Sequence, residues 1–370
     1  MKIAFIGGRG VVGTYSGIET YYEEVGSRLA GRGHSVTAYC RKHFTPEVKE
    51  FRGMTVRRLP ALRSKHLETL SHSLLATTDS LRRDFDVIQF HAIGSSFCSF
   101  LPRLFGIASV VSVRGLDWKR EKWNWFARNF LLAGEWASAR FPTATTVVSR
   151  SLQRHYLSKH GRSTTHIPNA VIPGEFRPPD LIKGFGLGHH NFLLFAGRIS
   201  PEKGVHTLLE AYATLAGRIK LVLAGGTSYS DEYIEEIKRI ATENVVFLGQ
   251  VDRRVMNELY SNCYAFVLPS TMEGLSVALL EALSFGTCII TTNIPENQEV
   301  VGATALCVDP DDVQHLRHAL TEVLEDSTVA QRMRHSAAKR ARSLPDWDEV
   351  ARLTESLYLS LVAQIDRENG

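Results

Sequence analysis

Short, continuous apolar runs alternate with stretches of helical periodicity along this chain, and the alternation is played out twice. In the first half strands are predicted at 2–6, 35–40, 54–59, 86–90, 108–113 and 143–148. In the second they fall at 191–197, 219–224, 244–248, 264–268, 287–291 and 305–308. Runs such as Asn191-Phe192-Leu193-Leu194-Phe195 lack polar alternation, which suits strands covered on both faces in a parallel sheet. Between them apolar positions follow helical spacing; over 18–30, Ile18, Tyr22, Val25 and Leu29 line one stripe. This alternation predicts doubly wound α/β domains.

The rhythm breaks at 172–190, where Pro173, Gly174, Pro178, Pro179, Gly184, Gly186 and Gly188 accumulate, the composition of an interdomain linker. The expected organisation is a Rossmann-like domain over 1–172, a linker over 173–190, a second Rossmann-like domain over 191–345 and a terminal helix over 346–370. No strand follows that helix, so it is expected to pack back on the first domain.

Composition narrows the class. A chain of 370 residues exceeds one ordinary core, and 44% hydrophobic with 22% charged residues is ordinary for a globular protein. No apolar run approaches the ~20 residues of a membrane span. Met1 to Ile6 lead straight into a glycine loop without the pattern of a signal peptide, so a cytoplasmic location is expected. Cys40, Cys98, Cys263, Cys288 and Cys307 are odd in number and widely spaced, and are expected to be buried thiols. No Cys/His cluster has zinc spacing. A net charge of +4 gives no argument for nucleic acid.

Two glycine-rich strand ends carry candidate chemistry. After the first strand comes Gly8-Arg9-Gly10-Val11-Val12-Gly13, a literal dinucleotide fingerprint, which makes an NADP-dependent oxidoreductase the main rival reading. Against it, Thr14 to Gly17 intervene before helical periodicity begins, and 37–42 ends in Arg41-Lys42 rather than an acidic residue. The alternative is that the loop amides and the helix start, with Gly13, Thr14, Gly17 and Glu19, hold a phosphate or sugar hydroxyls. His91, after strand 86–90, is a further polar strand-end residue.

In the second half, strand 191–197 runs into Gly197-Arg198-Ile199-Ser200-Pro201-Glu202-Lys203-Gly204. Arg198 and Lys203 stand at the carboxyl end of a strand, where open α/β sheets bind ligands, and Pro201-Glu202 reads as a helix start whose dipole would join them. A diphosphate is the group such a site stabilises. Strand 264–268 leads to Glu273-Gly274-Leu275-Ser276 and a helix in which Glu281 follows eight residues after Glu273. As one helix this would separate the carboxylates by about 12 Å, the span from sugar to ribose in a nucleotide sugar, with the amides of Gly274, Leu275 and Ser276 toward the phosphates. Glu281 lies in an apolar stretch and needs a partner, either a ribose or an internal cation. Gly225, Gly226, Gln250 and Val251 mark two further strand ends suited to close approach of a base and phosphates.

Ala196-Gly197-Arg198 through Lys203-Gly204, and Glu273-Gly274-Leu275-Ser276 through Glu281-Ala282, resemble the donor site of family-4 retaining glycosyltransferases. Ile167-Pro168-Asn169-Ala170-Val171, Gly17-Ile18-Glu19 and Asn293-Ile294-Pro295-Glu296-Asn297 extend the resemblance over nearly the whole chain, most closely to bacterial capsule, exopolysaccharide and O-antigen enzymes. The resemblance implies a GT-B fold, two doubly wound Rossmann-like domains facing a cleft. It also implies retaining, metal-independent transfer of a sugar from a nucleotide-diphosphate sugar to a glycan or lipid-linked acceptor. Arg198 and Lys203 would neutralise the leaving diphosphate, Glu273 would hold the donor sugar and Glu281 the ribose, with no cofactor. A sugar-nucleotide epimerase or hydrolase of the same fold is a further alternative. Ser112-Val113-Arg114-Gly115 departs from the family by placing Arg114 where relatives carry His. Arg114 is expected either to contact the donor sugar or to pair with Asp117 or Glu121. The Trp- and Lys-rich segment 118–130, with Arg57, Arg58, Arg63 and Lys65, is a candidate contact with an anionic membrane face. Asp309-Pro310-Asp311 and Asp346-Trp347-Asp348 spell a metal motif of another fold, but both stand at helix starts and are expected to be caps.

Overall fold

The computed structural model describes residues 1–12, 17–63, 67–119, 123–226 and 231–369. They divide into two compact units, Met1–Asn169 with Pro345–Gly370, and Ala170–Leu344. In the first unit the strands are β1 (Lys2–Ile6), β2 (Ser35–Arg41), β3 (Glu50–Phe51), β4 (Met54–Leu59), β5 (Val87–His91), β6 (Ala108–Val113), β7 (Ala144–Val147) and β8 (Thr165–His166). In the second they are β9 (Phe192–Ala196), β10 (Lys220–Ala224), β11 (Val245–Gly249), β12 (Ala265–Leu268), β13 (Ile289–Thr292) and β14 (Leu306–Val308). Every predicted strand is present within two residues of its expected bounds. The additional β3 and β8 are two residues each, too short for any periodicity to show.

The first sheet is ordered β3-β4-β2-β1-β5-β6-β7-β8 and the second β11-β10-β9-β12-β13-β14. All pairings are parallel except β3 with β4. Each unit therefore has its first strand in the middle, with the strand order reversing beside it: β1 against β5, and β9 against β12. That reversal opens the crevice in which doubly wound sheets bind ligands. The central strands are buried on both faces, as Ile3 to Ile6 and Phe192 to Phe195 show, which explains their unbroken apolar runs.

Segment 173–190, expected as a linker, is part of the second unit. Asp180 and Ile182 donate their backbone N–H groups to Glu258 Oε2 at 2.9 and 3.1 Å. Asn262 Nδ2 donates to the Arg177 carbonyl at 2.9 Å, and Ile182 and Leu187 are buried. Its prolines and glycines shape a path over the helix Arg253–Asn262 rather than leaving it slack.

The terminal helix Trp347–Asn369 belongs to the first unit. Tyr21 Oη lies 3.1 Å from Thr354 Oγ1, the Tyr358 hydroxyl bonds Gln89, and Glu355 holds Arg32 at 2.8 Å and His34 at 2.7 Å. Asp346 starts this helix by accepting from the Glu349 N–H at 2.8 Å. At the other D-x-D triplet the cap is the next residue, Asp312, which accepts from the His315 N–H. Cys40, Cys98, Cys263 and Cys288 are buried free thiols, and Cys307 is half-buried. Among the described residues no helix is long and apolar enough to cross a membrane.

Candidate active site

The second unit gathers its motif residues beside the β9/β12 reversal. The loop after β9 closes in a single turn, Pro201–Lys203, and the helix proper, Val205–Tyr212, starts only after Gly204. The expected helix start at Pro201 is thus a short turn. Gly204 has φ +65°, and a Cβ there would stand 2.2 Å from the Pro269 carbonyl oxygen. Only glycine lets the loop after β9 approach the loop after β12 so closely. The Thr271 N–H donates across the same gap to the Glu202 carbonyl at 3.0 Å.

That approach brings Lys203 Nζ to 2.5 Å from Glu273 Oε1, with side-chain exposures of 15% and 8%. Ser270 Oγ donates to the same oxygen at 2.7 Å. Behind Ser270 runs a buried polar chain: Thr292 Oγ1 donates to the Ser270 carbonyl at 2.5 Å. Asn297 Nδ2 donates to Thr292 Oγ1 at 2.9 Å and to Thr291 Oγ1 at 3.0 Å. Glu273 is thus held in position from β13 as well as from the loop after β9. Arg198 is half-buried in the same loop, five residues before Lys203.

Glu281 is on the helix Val277–Ser284, which Ser276 caps by accepting from the Leu279 N–H at 3.4 Å. Residues 273–276 lie outside that helix, so the eight-residue helical rise expected between Glu273 and Glu281 does not apply. Glu281 forms a short ion pair with the half-exposed Arg253. The internal cation, one of the two partners expected for this carboxylate, is therefore present. Further strand ends are stitched to the Arg198 loop through the backbone. Gly197 N–H donates to the Ala224 carbonyl at 2.9 Å, Ile199 N–H to Gly226 at 3.1 Å and Gly225 N–H to Gly249 at 2.8 Å. A Cβ on Gly225 would sit 1.8 Å from the Gly197 oxygen. Gln250 is exposed beside Gly226, Val251 is half-buried, and Leu275 and Gly274 complete the Glu273 loop.

The loop after β1 is filled differently. Gly8 N–H donates to Tyr22 Oη at 2.9 Å, Arg9 N–H to Glu19 Oε1 at 2.9 Å and Val12 N–H to Glu23 Oε1 at 3.0 Å. These three amides are taken up by side chains of the helix Gly17–Gly31, and Glu19, one of the residues expected to meet a ligand, is buried against the Arg9 amide. Two carboxylates stand where a pyrophosphate would have to bind, and repel one. Arg41, the residue a 2′-phosphate would need, is buried and paired with Glu68 at 2.8 Å. Both facts oppose the NADP reading. Gly13 and Thr14 lie outside the described residues.

His91, Arg114 and Glu19 converge in the same unit. His91 is fully buried, its ring 4.8 Å from Tyr22, 5.1 Å from Tyr21 and 5.5 Å from Phe5. Burial, together with the Arg114 charge, holds it well below the ordinary histidine range, so it is neutral. Arg114 stacks 4.2 Å over the Tyr21 ring and donates through Nη1 to Asn169 Oδ1 at 2.5 Å. Tyr21 and Asn169 thus hold the guanidinium that was expected to meet Asp117 or Glu121 if it stayed on the surface; Glu121 lies outside the described residues. Arg57, counted as a membrane-facing cation, instead grips Asp79 through two bonds of 2.6 Å, and Lys65 is outside the described residues. In segment 118–130, Trp125 and Phe126 are 70% and 76% exposed, and residues 120–122 are not described.

Sequence reasoning missed Ser270, Thr292 and Arg253. Asn297 lay in a quoted phrase without a role. The Thr292–Ser270 and Arg253–Glu281 contacts join residues 22 and 28 positions apart, and no local pattern signals such pairs.

Arg198, Lys203 and Glu273 thus stand in the loops after β9 and β12, beside the strand-order reversal of the second of two doubly wound units. Residues 182–343 match the family model described as Glycosyl transferases group 1, and residues 15–174 match Glycosyltransferase Family 4. The two matches together take in most of the chain, which belongs to the family-4 glycosyltransferases of the GT-B fold. It is similar to glycogen synthase from Mycobacterium tuberculosis, 34% identical over 45% of this chain and 42% of that protein. It is also similar to O-antigen chain mannosyltransferase B from Escherichia coli, 29% identical over 45% of this chain and 44% of the relative. The chain spans less than half the length of these curated relatives. The structure of sucrose-phosphate synthase from Thermosynechococcus elongatus is 24% identical with a TM-score of 0.83, covering 98% of this chain and 99% of that one, and shows the shared fold.

Proposed function

We propose that this protein transfers a sugar from a nucleotide-diphosphate donor to a hydroxyl of a glycan or lipid-linked glycan in surface-polysaccharide synthesis, with retention and without a metal. The observation that carries the reading is the Lys203–Glu273 pair, 2.5 Å long, set beside Arg198 at the strand-order reversal. The bond from the anomeric carbon to the diphosphate oxygen breaks, and its electron pair leaves with the diphosphate. The acceptor oxygen bonds to the anomeric carbon on the same face, and its proton passes to the departing phosphate oxygen. Arg198 and Lys203 stabilise the charge that develops there, the largest kind of catalytic contribution. Glu273, oriented by Ser270, accepts hydrogen bonds from the donor sugar, and Glu281 from the ribose hydroxyls while Arg253 neutralises it. The exposed Trp125 and Phe126 support peripheral contact with the membrane that bears a lipid-linked acceptor, measurable by sedimentation with anionic vesicles.

The test is calorimetric binding against UDP-, GDP-, dTDP- and ADP-sugars with NADPH as control, followed by NMR of the product. A glycoside of unchanged anomeric configuration, formed in EDTA, is expected. Free sugar or an epimerised nucleotide as sole product, or turnover lost in EDTA and restored by Mg²⁺, overturns the reading.

A further inference from the structure

Away from the motif residues, the first unit builds a second polar centre around one carboxylate. Glu135, on the helix Trp125–Arg140, is fully buried. Its Oε1 meets His155 Nε2 at 2.9 Å, His160 Nε2 at 2.6 Å and Lys159 Nζ at 3.0 Å, all from the helix Arg150–His160. Its Oε2 accepts from the Trp118 indole N–H. Three nitrogens crowd an oxygen that has two lone pairs, so one polar group is in excess unless a cation is shared among them. Glu135, His155 and His160 present ligand atoms all within 4.8 Å of one another, and two imidazoles with one carboxylate are a zinc donor set that leaves a position for water.

We propose that Glu135, His155 and His160 bind a divalent transition-metal ion of the zinc class and so tie the two helices together. Tetrahedral bonds of roughly 2.0–2.2 Å put ligand atoms about 3.3 Å apart. The two imidazole nitrogens therefore need to move away from Oε1 by about half an ångström. Trp118 supplies the outer hydrogen bond that orients a ligating carboxylate. Lys159 is the competitor. Its side chain is 40% exposed and its ammonium lies 4.9 Å from the centre of the Trp118 ring. It can leave Oε1 for that ring and for water as the ion enters. His155 and His160, with four residues between them, have the spacing of a zinc-binding histidine pair, but no cysteines accompany them and the third ligand is a glutamate far upstream, so the expectation drawn from Cys/His clusters passed over them. The site is independent of the transferase reading.

Chelator-stripped protein titrated with Zn²⁺ by calorimetry, and with Co²⁺ by visible absorption, tests the site. One ion per chain at about micromolar Kd is expected, with the visible bands of a low-coordinate Co²⁺ centre. His155→Ala and His160→Ala should each weaken binding by about tenfold or more, the scale on which a metal site responds even to loss of its outer partners. Lys159→Ala removes the competing cation from a partly exposed position and should tighten binding several-fold with the fold intact. Circular dichroism checks each variant. Failure of the wild type to bind stoichiometrically overturns the site, as does equal affinity in folded His155→Ala and His160→Ala. So does weaker binding in Lys159→Ala. In each case Glu135 would be an ion-pair hub served by protons and Lys159 alone.

Discussion

The loops after β1 and after β9 hold the same position in two sheets, the inner six strands of the first following the order of the second, yet they carry opposite side-chain chemistry. After β1, the loop amides end on Tyr22, Glu19 and Glu23, and an incoming anion meets two carboxylates. After β9, the loop offers Arg198 and lays Lys203 against Glu273. The lesson is that glycine spacing reports the shape of a backbone turn, not its ligand. Which side chains reach the loop from the neighbouring helix and strand decides whether it binds a phosphate or is sealed. The first loop, in its described part, is bonded to its own helix, and the second is the one to which the proposed reading assigns the chemistry.

The largest effect should come from the second loop. Lys203→Ala removes a transition-state cation and leaves Glu273 without its ion pair, so kcat should fall about 10²–10³-fold. Turnover within threefold of wild type would erase the contrast between the loops. Acid should weaken both units, since burial lowers His190 of the second unit to about 4 as well. Burial, with the nearby Arg41 charge, lowers His72 to about 4, and burial with the Arg114 charge holds His91 well below the ordinary histidine range. The folded-state values lie below the unfolded value near 6.5, so the unfolded chain takes up protons first. Stability is full above about pH 6.5 and is lost as pH falls toward 4, on the order of 2–3 kcal/mol for His72 alone. Urea midpoints measured from pH 7 to 4.5 should fall less steeply in His72→Phe; an unchanged slope would remove His72 from the account.

Glu281→Ala should weaken nucleoside diphosphate binding by about 1–3 kcal/mol, read by calorimetry, and unchanged affinity in a folded variant would assign Glu281 to Arg253 alone. The smallest expected change is in the sealed loop. Glu19→Ala orphans the Arg9 amide and should cost about 1–2 kcal/mol of stability while leaving nucleotide affinity as it was. A loss of nucleotide binding there would show that the first loop is not sealed after all.

Much of this was legible along the chain. Unbroken apolar runs marked central strands such as β1 and β9, because a strand buried on both faces has no polar alternation to confuse it. Gly197-Arg198 to Lys203 and Glu273 to Glu281 stood out as charged groups after buried strands, and the structure brings Lys203 and Glu273 together. The residues by themselves, then, determined the two α/β units and which strand ends carry charge. Tertiary structure decided the pairings. Lys203 with Glu273, Glu281 with Arg253, Arg114 on Tyr21 and the three nitrogens around Glu135 each join positions distant in sequence. It also placed 173–190, read along the chain as a linker, on the second unit, where Glu258 accepts from the Asp180 and Ile182 amides. Such contacts depend on how separate strands and helices are laid side by side. A local pattern of residue types carries the propensity of each element but not its neighbour.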